Sequence, residues 1–389
     1  MSEQPGLEQV ITAAKDLSPE IIRIVHALYE QPEISLHEKE SSALLAGILE
    51  SAGFAVTRSL AGMDTAFVGK IGTGALKIAL IAEMDALPEL GHACGHNIIA
   101  AASTGAALIL GRILPPEAAT ILIYGTPAEE LGIGKVELIK AGCFDGVDFA
   151  MMVHPSSRRQ VIKKFLGLAK IRFTFQGRPA HAAAYPEDGI NALDAVIQTF
   201  NSINALRQQT RQDVRIHGII TDGGAAPNII PARAACYFYV RADDLDELHR
   251  VKEKVTACAE GAARASGCSL AIDSDPRIIA PLKIIPAFYR IYSEKLALLG
   301  LMESEAQPDK NKGSSDIGNL SQLLPTIHPH VPIGDNINIH TTGFAAATVS
   351  LKGELAAVEG ASALALTAIE LVYSDSAREE IIKKFHEIA

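Results

Sequence analysis

The chain has 389 residues, enough for more than one hydrophobic core, and its composition of 48% hydrophobic and 21% charged residues is that of a globular protein. A formal net charge of -10 argues against a phosphate-binding surface, so nucleic acid is not an expected partner. Five scattered cysteines do not suit a disulfide framework and favour a reducing compartment.

The N-terminus and the apolar segments predict a soluble cytoplasmic protein. Residues 1–6 lack the basic start and the apolar run of a signal peptide. The best candidate for a membrane span, residues 100–123, is interrupted by Arg112, Pro115, Pro116 and Glu117. We therefore expect a cytoplasmic location and no membrane partner.

The first part of the chain has the pattern of an α/β layer structure. The predicted helices are residues 7–29, 37–53, 98–110 and 136–141, and the predicted strands are 75–81, 120–124 and 149–153. The strands are short and almost entirely apolar, without polar alternation. Such strands, alternating with helices, indicate a mixed, largely parallel sheet sandwiched by helices.

The pattern changes near residue 167, where apolar and polar residues begin to alternate. The predicted elements are then a strand at 169–176, a helix at 189–206, strands at 214–221 and 232–241, a helix at 245–265 and a strand at 269–274. This β-α-β-β-α-β order is that of a ferredoxin-like α+β unit. Helices return at 287–299 and 358–373. We therefore predict one discontinuous domain, residues 1–166 and 281–389, into which residues 167–280 are inserted.

The loop at residues 82–97 collects groups that bind metals, directly after an apolar strand. It contains Glu83, Asp85, His92, Cys94 and His96. Thiolate, imidazole and carboxylate are the ligands of a borderline divalent ion, and a tight turn between the cysteine and the last histidine could direct both at one ion. The plainer interpretation is a small buried cysteine beside hydrogen-bonded histidines.

Further polar residues follow the predicted strands, at the sheet edge where ligands of open α/β sheets gather. Glu129 and Glu130 follow one strand, His154 follows another, and His340 lies near the far end of the chain. Two adjacent carboxylates repel each other unless a cation or a raised pKa relieves the pair, and a metal ligand beside a general base would do so. Alternatively, the acidic pair begins a helix and the histidine is structural. Their shared position at one sheet edge favours the metal site.

With these residues assembled, the chain resembles the co-catalytic metallopeptidases of clan MH, which include aminoacylase and carboxypeptidase G. Within the clan it is most similar to the branch with hydrolases of hippurate, auxin–amino-acid conjugates and aminobenzoyl-glutamate. The resemblance runs from about Pro32 to the C-terminus through residues 83–88, 91–97, 125–130, 153–155, 177–183, 227–231, 313–316 and His340. It implies a zinc-peptidase-like catalytic domain with an inserted dimerisation or lid domain.

The resemblance also implies two divalent metal ions per subunit, zinc or manganese. Cys94 would bridge the two ions. His96 and His154 would complete the protein ligands of one ion, and Glu130 and His340 would complete those of the other.

Catalytic and binding roles follow from the same resemblance. Glu129 would be the general base for a metal-activated water and Asp85 the carboxylate that orients a ligand histidine. His181 corresponds to a histidine that stabilises the oxyanion in a neighbouring subunit's site, which implies a homodimer. Asn228 and Arg241 correspond to groups that hold the carboxylate or scissile carbonyl of the substrate. A surface histidine and a solvated arginine are the plainer alternatives for His181 and Arg241.

Three positions depart from the common pattern of the family. Glu83 stands where aspartate is usual, Asn97 follows His96 where aspartate is usual, and Ser315 replaces a glutamate. These variants resemble a subgroup that includes dipeptidases acting on β-alanyl and related dipeptides and one of the subunits of aminobenzoyl-glutamate hydrolase. In that subgroup His328 would line the substrate pocket; otherwise it is a loop residue.

The implied function is a metal-dependent amidohydrolase or peptidase that acts on N-acyl amino acids, amino-acid conjugates or small dipeptides through a water activated by two metals. One alternative is a strict dipeptidase that requires a free amino terminus. Another is a catalytically silent binding homologue with the same fold, against which the complete ligand set argues.

Overall fold

The computed structural model describes residues 4–305 and 313–388. These residues form two compact units. Unit 1 contains the described residues of 1–163, 283–311 and 315–389, and unit 2 contains those of 164–282 and 312–314.

Unit 1 begins with helices and strands that alternate along the chain. They are α1 (Leu7–Glu30), α2 (Lys39–Ser51), β1 (Ala55–Arg58), β2 (Phe67–Ile71), β3 (Lys77–Glu83), α3 (His96–Ile113), β4 (Thr120–Thr126), α4 (Gly134–Lys140), β5 (Phe149–Met151) and β6 (His154–Ser156). Every residue of β4 and all but the first of β3 are buried, as expected for strands covered on both faces.

Most of unit 2 follows, in the segment of residues 164–282. Its elements are β7 (Gly167–Gln176), α5 (Ala192–Leu206), β8 (Arg215–Asp222), β9 (Arg233–Ala242), α6 (Leu245–Ser266) and β10 (Ser269–Ser274). The strands form an antiparallel sheet in the order β10-β7-β9-β8. Burial alternates along β7 and β9, so one face of this sheet packs against α5 and α6 around a core of its own. The order and the two helices are those of a ferredoxin-like unit, as predicted.

The chain then returns to unit 1 and completes it. The elements are α7 (Pro286–Leu298), α8 (Ile317–Leu323), β11 (Thr326–Ile327), β12 (His330–Pro332), α9 (Thr342–Thr348), α10 (Leu351–Tyr373) and α11 (Asp375–Glu387). The main sheet has the order β1-β2-β4-β3-β5-β11. Strands β4, β3, β5 and β11 are mutually parallel, whereas β1 and β2 are antiparallel. The predicted mixed, largely parallel sheet is confirmed.

Helix α10 is long and apolar enough to cross a membrane, although the sequence pattern pointed to residues 100–123 as the best candidate. In the structure α10 packs against α1 and α3, and most of it is buried inside unit 1. A helix buried in the core of a protein can be as long and as apolar as a membrane span. The burial of α10 accounts for its apolar composition.

Several elements of unit 1 were not predicted from the sequence: β1, β2, β6, β11, β12, α8, α9 and α11. Most are short, and β1 and β2 carry charged residues such as Arg58 and Lys70 that interrupt an apolar pattern. Short strands at the margin of a sheet carry little periodic signal.

Candidate metal centre

Cys94 lies in the turn that joins β3 to α3, and His96 is the first residue of α3. Gly95 between them has a φ of +84°, and it is the residue that caps the helix. A side-chain carbon at this position would lie 2.3 Å from Cγ of Pro155, the residue after His154. Only glycine therefore allows the turn with the cysteine and histidine to meet the strand that carries His154.

The loop after β4 carries the acidic pair, and two buried carboxylates hold its backbone. Oε1 of Glu38 accepts the N–H of Ala128 at 2.9 Å. Oδ1 and Oδ2 of Asp85 accept the N–H groups of Glu129 and Glu130 at 3.2 and 3.1 Å. Ala128 has a φ of +57°, a conformation that costs energy for a residue other than glycine. Three successive amide groups are thus fixed, which sets the direction of both glutamates.

A first group of donor atoms comes from Cys94, His96 and His154, all buried, whose ligand atoms lie within 4.8 Å of one another. The thiol Sγ is 3.6 Å from Nε2 of His154. Nδ1 of His154 donates to the carbonyl of Pro155 at 2.7 Å, and Nδ1 of His96 donates to the carbonyl of Asp85 at 2.8 Å. Because a carbonyl oxygen only accepts, both rings direct Nε2 at the centre of the group.

A second group shares the cysteine. The ligand atoms of Cys94, Glu130 and His340 also lie within 4.8 Å of one another, and Nε2 of His340 is 3.7 Å from Oε1 of Glu130. The backbone N–H of His340 donates to the carbonyl of Ala93 at 2.9 Å, which ties the far end of the chain to the turn before α3. The two groups therefore adjoin at a single sulfur.

The donor set suits divalent cations. Nε2 of His96 and Oε1 of Glu130 are buried and have no hydrogen-bond partner among the described residues. Burial lowers the pKa of His154 to about 3, so its ring is neutral at pH 7, as a metal ligand must be. Burial raises the pKa of the Cys94 thiol well above its usual range, and a cation would displace that proton. Burial works to lower the pKa of His96, but a thiolate at Cys94 and the carboxylate of Asp85 outweigh it and raise that pKa, so the pKa values of the thiol and the imidazole depend on each other.

Glu129 stands beside this donor set, with Oε2 3.7 Å from Nε2 of His96. Burial raises the pKa of Glu129 well above its usual range, and the neighbouring Glu83 adds to the effect. A carboxylate with a raised pKa next to candidate metal ligands has the properties of a general base.

Two groups at the site were not predicted from the sequence. Lys135 on α4 is fully buried and contacts Glu83 and Asp316, and Glu38 is fully buried at the start of α2. The sequence signal was weak, because a lysine and a glutamate on short or amphipathic helices are ordinarily exposed.

Asn97 and His92, from the loop at residues 82–97, and His328 belong to neither of the two donor groups. The side chain of Asn97 donates to the carbonyl of Val25 and to Oγ1 of Thr348, so it joins elements of unit 1. His92 is buried, which lowers its pKa to about 3. His328 is fully buried, with its ring centroid 5.3 Å from that of His154.

His181, Asn228 and Arg241 lie in unit 2. The backbone N–H of Ala182 donates to the carbonyl of Asn228 at 3.0 Å, so the histidine and asparagine segments run side by side, both exposed. Arg241 is partly buried and donates from Nη1 to Oγ of Ser314 at 2.7 Å. The predicted site residues thus divide between the candidate metal centre of unit 1 and this part of unit 2.

Comparison with known proteins assigns the family. The model of the M20 peptidase dimerisation domain matches residues 165–266. Over 377 residues the chain is 35% identical to the Xaa-Arg dipeptidase of Mus musculus, which covers 92% of this chain and 87% of the relative. The chain belongs to the M20 peptidase family.

One further relative and one solved structure extend the comparison. One of the subunits of the p-aminobenzoyl-glutamate hydrolase of Escherichia coli K12 is 34% identical over 261 residues, 62% of this chain and 54% of the relative. A Bacillus subtilis structure described as a dinuclear metal binding peptidase of the M20 family superposes with a TM-score of 0.73, at 21% identity, over 92% of this chain and 99% of the other. The predicted resemblance is confirmed, and as an M20 member the chain is a metal-dependent hydrolase of amide bonds.

Proposed function

We propose that this chain uses two divalent ions to hydrolyse the amide bond of dipeptides or related N-acyl amino acids. The observation that carries the proposal is the pair of donor groups that share Cys94, with Glu129 beside them. The side chain of Glu129 is only 10% exposed. Neither a structural site with one ion nor a binding protein without catalysis needs an additional carboxylate at that place.

In this proposal Cys94, His96 and His154 hold one ion, and Cys94, Glu130 and His340 hold the other. Such ions supply Lewis acidity and lower the pKa of water to near 7. Thiolate and imidazole ligands favour zinc, and manganese is the alternative.

The chain's own residues supply the proton transfers and the orientation of the ligands. Glu129 takes the proton from the attacking water and delivers it to the leaving amine. Burial and the neighbouring Glu83 raise the pKa of Glu129, which favours the uptake of a proton by its carboxylate. Asp85 holds Nδ1 of His96 and the backbone of the acidic loop, so that the ligands and the base keep a fixed geometry.

The substrate class rests on the relatives. The 35% identity to a protein named Xaa-Arg dipeptidase favours a dipeptide with a basic C-terminal residue. The similarity to one of the subunits of a p-aminobenzoyl-glutamate hydrolase favours an acyl group on an acidic amino acid. In either case His328, Asn228 and Arg241 are the proposed substrate-binding residues.

The test is a hydrolysis screen of the protein loaded separately with Zn²⁺ and with Mn²⁺. Alanyl-arginine, N-acetyl-arginine and p-aminobenzoyl-glutamate form the core of the screen. Cleavage of the free-amine dipeptide alone identifies a strict dipeptidase, and cleavage of the acetylated partner identifies an N-acyl amidohydrolase. No hydrolysis of any amide by either loaded form, with both ions bound, would refute the proposed activity.

We further propose a homodimer in which His181 of one subunit stabilises the oxyanion at the other subunit's metal centre. The match of residues 165–266 to a peptidase dimerisation domain supports the dimer. The test mixes subunits carrying Glu129→Gln with subunits carrying His181→Ala, each inactive by itself. Activity that appears on mixing supports the proposal, and its absence in a verified mixed dimer contradicts it.

The proposed location is the cytoplasm. All five cysteines are free in the structure, which suits a reducing compartment. Fractionation of cells with an antibody to the protein tests this location.

A further inference from the structure

A buried lysine and two buried carboxylates form a cluster next to the metal centre. Nζ of Lys135 lies 2.7 Å from Oε1 of Glu83 and 2.5 Å from Oδ1 of Asp316. The backbone N–H of Lys135 also donates to Oδ2 of Asp316 at 2.9 Å. The side chains are 0%, 1% and 0% exposed respectively, so water does not screen their charges.

The charges of this cluster do not cancel. One ammonium faces two carboxylates, and a lysine is almost never fully buried unless it is paired. Burial works against the charged form of Lys135, but Asp316 and Glu83 outweigh it and raise the lysine pKa above its usual value. Lys135 is therefore protonated at neutral pH. With both carboxylates ionised, the cluster carries a net charge of about -1.

Glu129 borders the cluster on the side of the metal ligands. Carboxylate oxygens of Glu83, Glu129 and Asp316 lie within 4.8 Å of one another. Glu83 also reaches the metal ligands, since its Oε2 is 3.6 Å from Nε2 of His96. Three carboxylates at this separation repel one another strongly in a dry environment, and the contacts of Lys135 counter that repulsion for two of them.

We propose that Lys135 is a positioning residue, whose ammonium fixes Glu83 and Asp316 so that the Glu129 carboxylate stays directed at the metal centre. This inference rests on the proposed function, because it takes Glu129 to be the general base. Without the ammonium, the two buried carboxylates repel each other and Glu129, and the base moves from its place. A displacement of about 1 Å at a reacting group can cost 10²-fold in rate.

Lys135→Met tests the inference, since methionine keeps an unbranched side chain of similar length and removes the charge. We expect kcat to fall about 10²-fold while KM and the content of bound metal stay near those of the unmodified enzyme. Lys140→Met is the matched control. Lys140 lies on the same helix, but its ammonium pairs with Glu137 at 2.9 Å with both side chains exposed, and its loss should leave kcat unchanged.

A second variant separates charge from packing. Lys135→Met combined with Asp316→Asn removes one positive and one negative charge, so the net charge of the cluster returns to its original value. We expect the double variant to recover most of the kcat that the single variant loses. If Lys135→Met does not fold, the double variant alone decides: a kcat within about 10-fold of the unmodified enzyme supports the inference.

Two results would overturn the inference. One is a folded, metal-loaded Lys135→Met enzyme with unchanged kcat. The other is a folded, metal-loaded double variant whose kcat is down about 10²-fold or more, because a role in packing alone predicts no recovery. In both cases the unmodified enzyme still hydrolyses its substrate. If the proposed function itself is wrong, the unmodified enzyme hydrolyses no amide at all, so the two failures can be told apart.

Discussion

The ring of His96 forms hydrogen bonds with both the backbone carbonyl and the side-chain carboxylate of Asp85. Nδ1 of His96 lies 2.8 Å from the carbonyl oxygen of Asp85 and 3.0 Å from its Oδ1. The same carboxylate accepts the hydroxyl of Ser35 at 2.6 Å and the N–H groups of Glu129 and Glu130. Burial works to raise the pKa of Asp85, but the neighbouring charge of His96 and these hydrogen bonds hold it below its ordinary range. One ionised side chain thus orients a histidine and an acidic loop together.

Replacing Asp85 with asparagine should therefore weaken the metal centre. The amide group would present N–H donors where the carboxylate accepts, and the ring of His96 would lose its charged partner. We expect metal affinity to fall about 10- to 100-fold, measured by competition with a chelator. Ser35→Ala is the control, because it removes one hydrogen bond and leaves the charge. An Asp85→Asn protein with unchanged affinity would show that His96 is oriented by the backbone carbonyl alone.

Glu129→Gln should remove turnover and leave the ions bound. Glutamine has nearly the same shape but cannot accept the proton from water, so we expect kcat to fall about 10²- to 10⁴-fold. Elemental analysis should find the metal content near that of the unmodified enzyme, since Glu129 belongs to neither of the two donor groups that share Cys94. Retention of full activity would contradict the proposed mechanism.

Metal uptake should release protons and strengthen as the pH rises. Burial raises the pKa of the Cys94 thiol well above its usual range, so the thiol holds a proton at neutral pH that the ions must displace. We expect about one proton to be released per subunit on zinc binding, measured by calorimetry in buffers of different ionisation enthalpy. Burial lowers the pKa of His154 to about 3, so His154 contributes no proton at neutral pH.

Cys94→Ala gives the matched comparison for metal uptake. Since its thiol belongs to both donor groups, the variant should lose bound ions and release fewer protons. A metal content equal to that of the unmodified protein would show that the cysteine is not a ligand.

Glu38→Gln should destabilise unit 1 and slow turnover. Glu38 accepts the N–H groups of Ala128 and Leu36, each at 2.9 Å, and the hydroxyl of Thr65 at 2.9 Å. A glutamine would place its own N–H₂ against one of these donors. We expect the free energy of unfolding to fall by about 1–3 kcal/mol, measured by denaturant titration. The control is Glu40→Gln, which changes an exposed glutamate in the first turn of α2, the helix that begins directly after Glu38. Equal stability of the two variants would refute this role.

The buried strands and the groups of donor residues were predictable because their signals are local. The apolar runs of β3 and β4 reflect burial on both faces, and Cys94 and His96 flank a glycine in the following turn. The parallel order of the strands then brings Glu129, Glu130 and His154 to the same sheet edge. Short-range patterns and one topological rule therefore account for much of the donor set.

What was not predictable depends on contacts between distant segments. Lys135 and Asp316 are 181 positions apart, and Glu38 and Ala128 are 90 apart. Each charged residue lies in a sequence context that is ordinarily exposed. Its burial follows from a partner that only the tertiary structure supplies.

The contact of Gly95 with the ring of Pro155 has a consequence for how the centre assembles. Glycine has no side chain and the proline ring is rigid, so this packing costs no side-chain conformational entropy. The closest approach of the helix that begins with His96 to the strand that begins with His154 is therefore limited by shape. Folding itself brings the sulfur of Cys94 and Nε2 of His154, from segments 60 positions apart, to within 3.6 Å of each other.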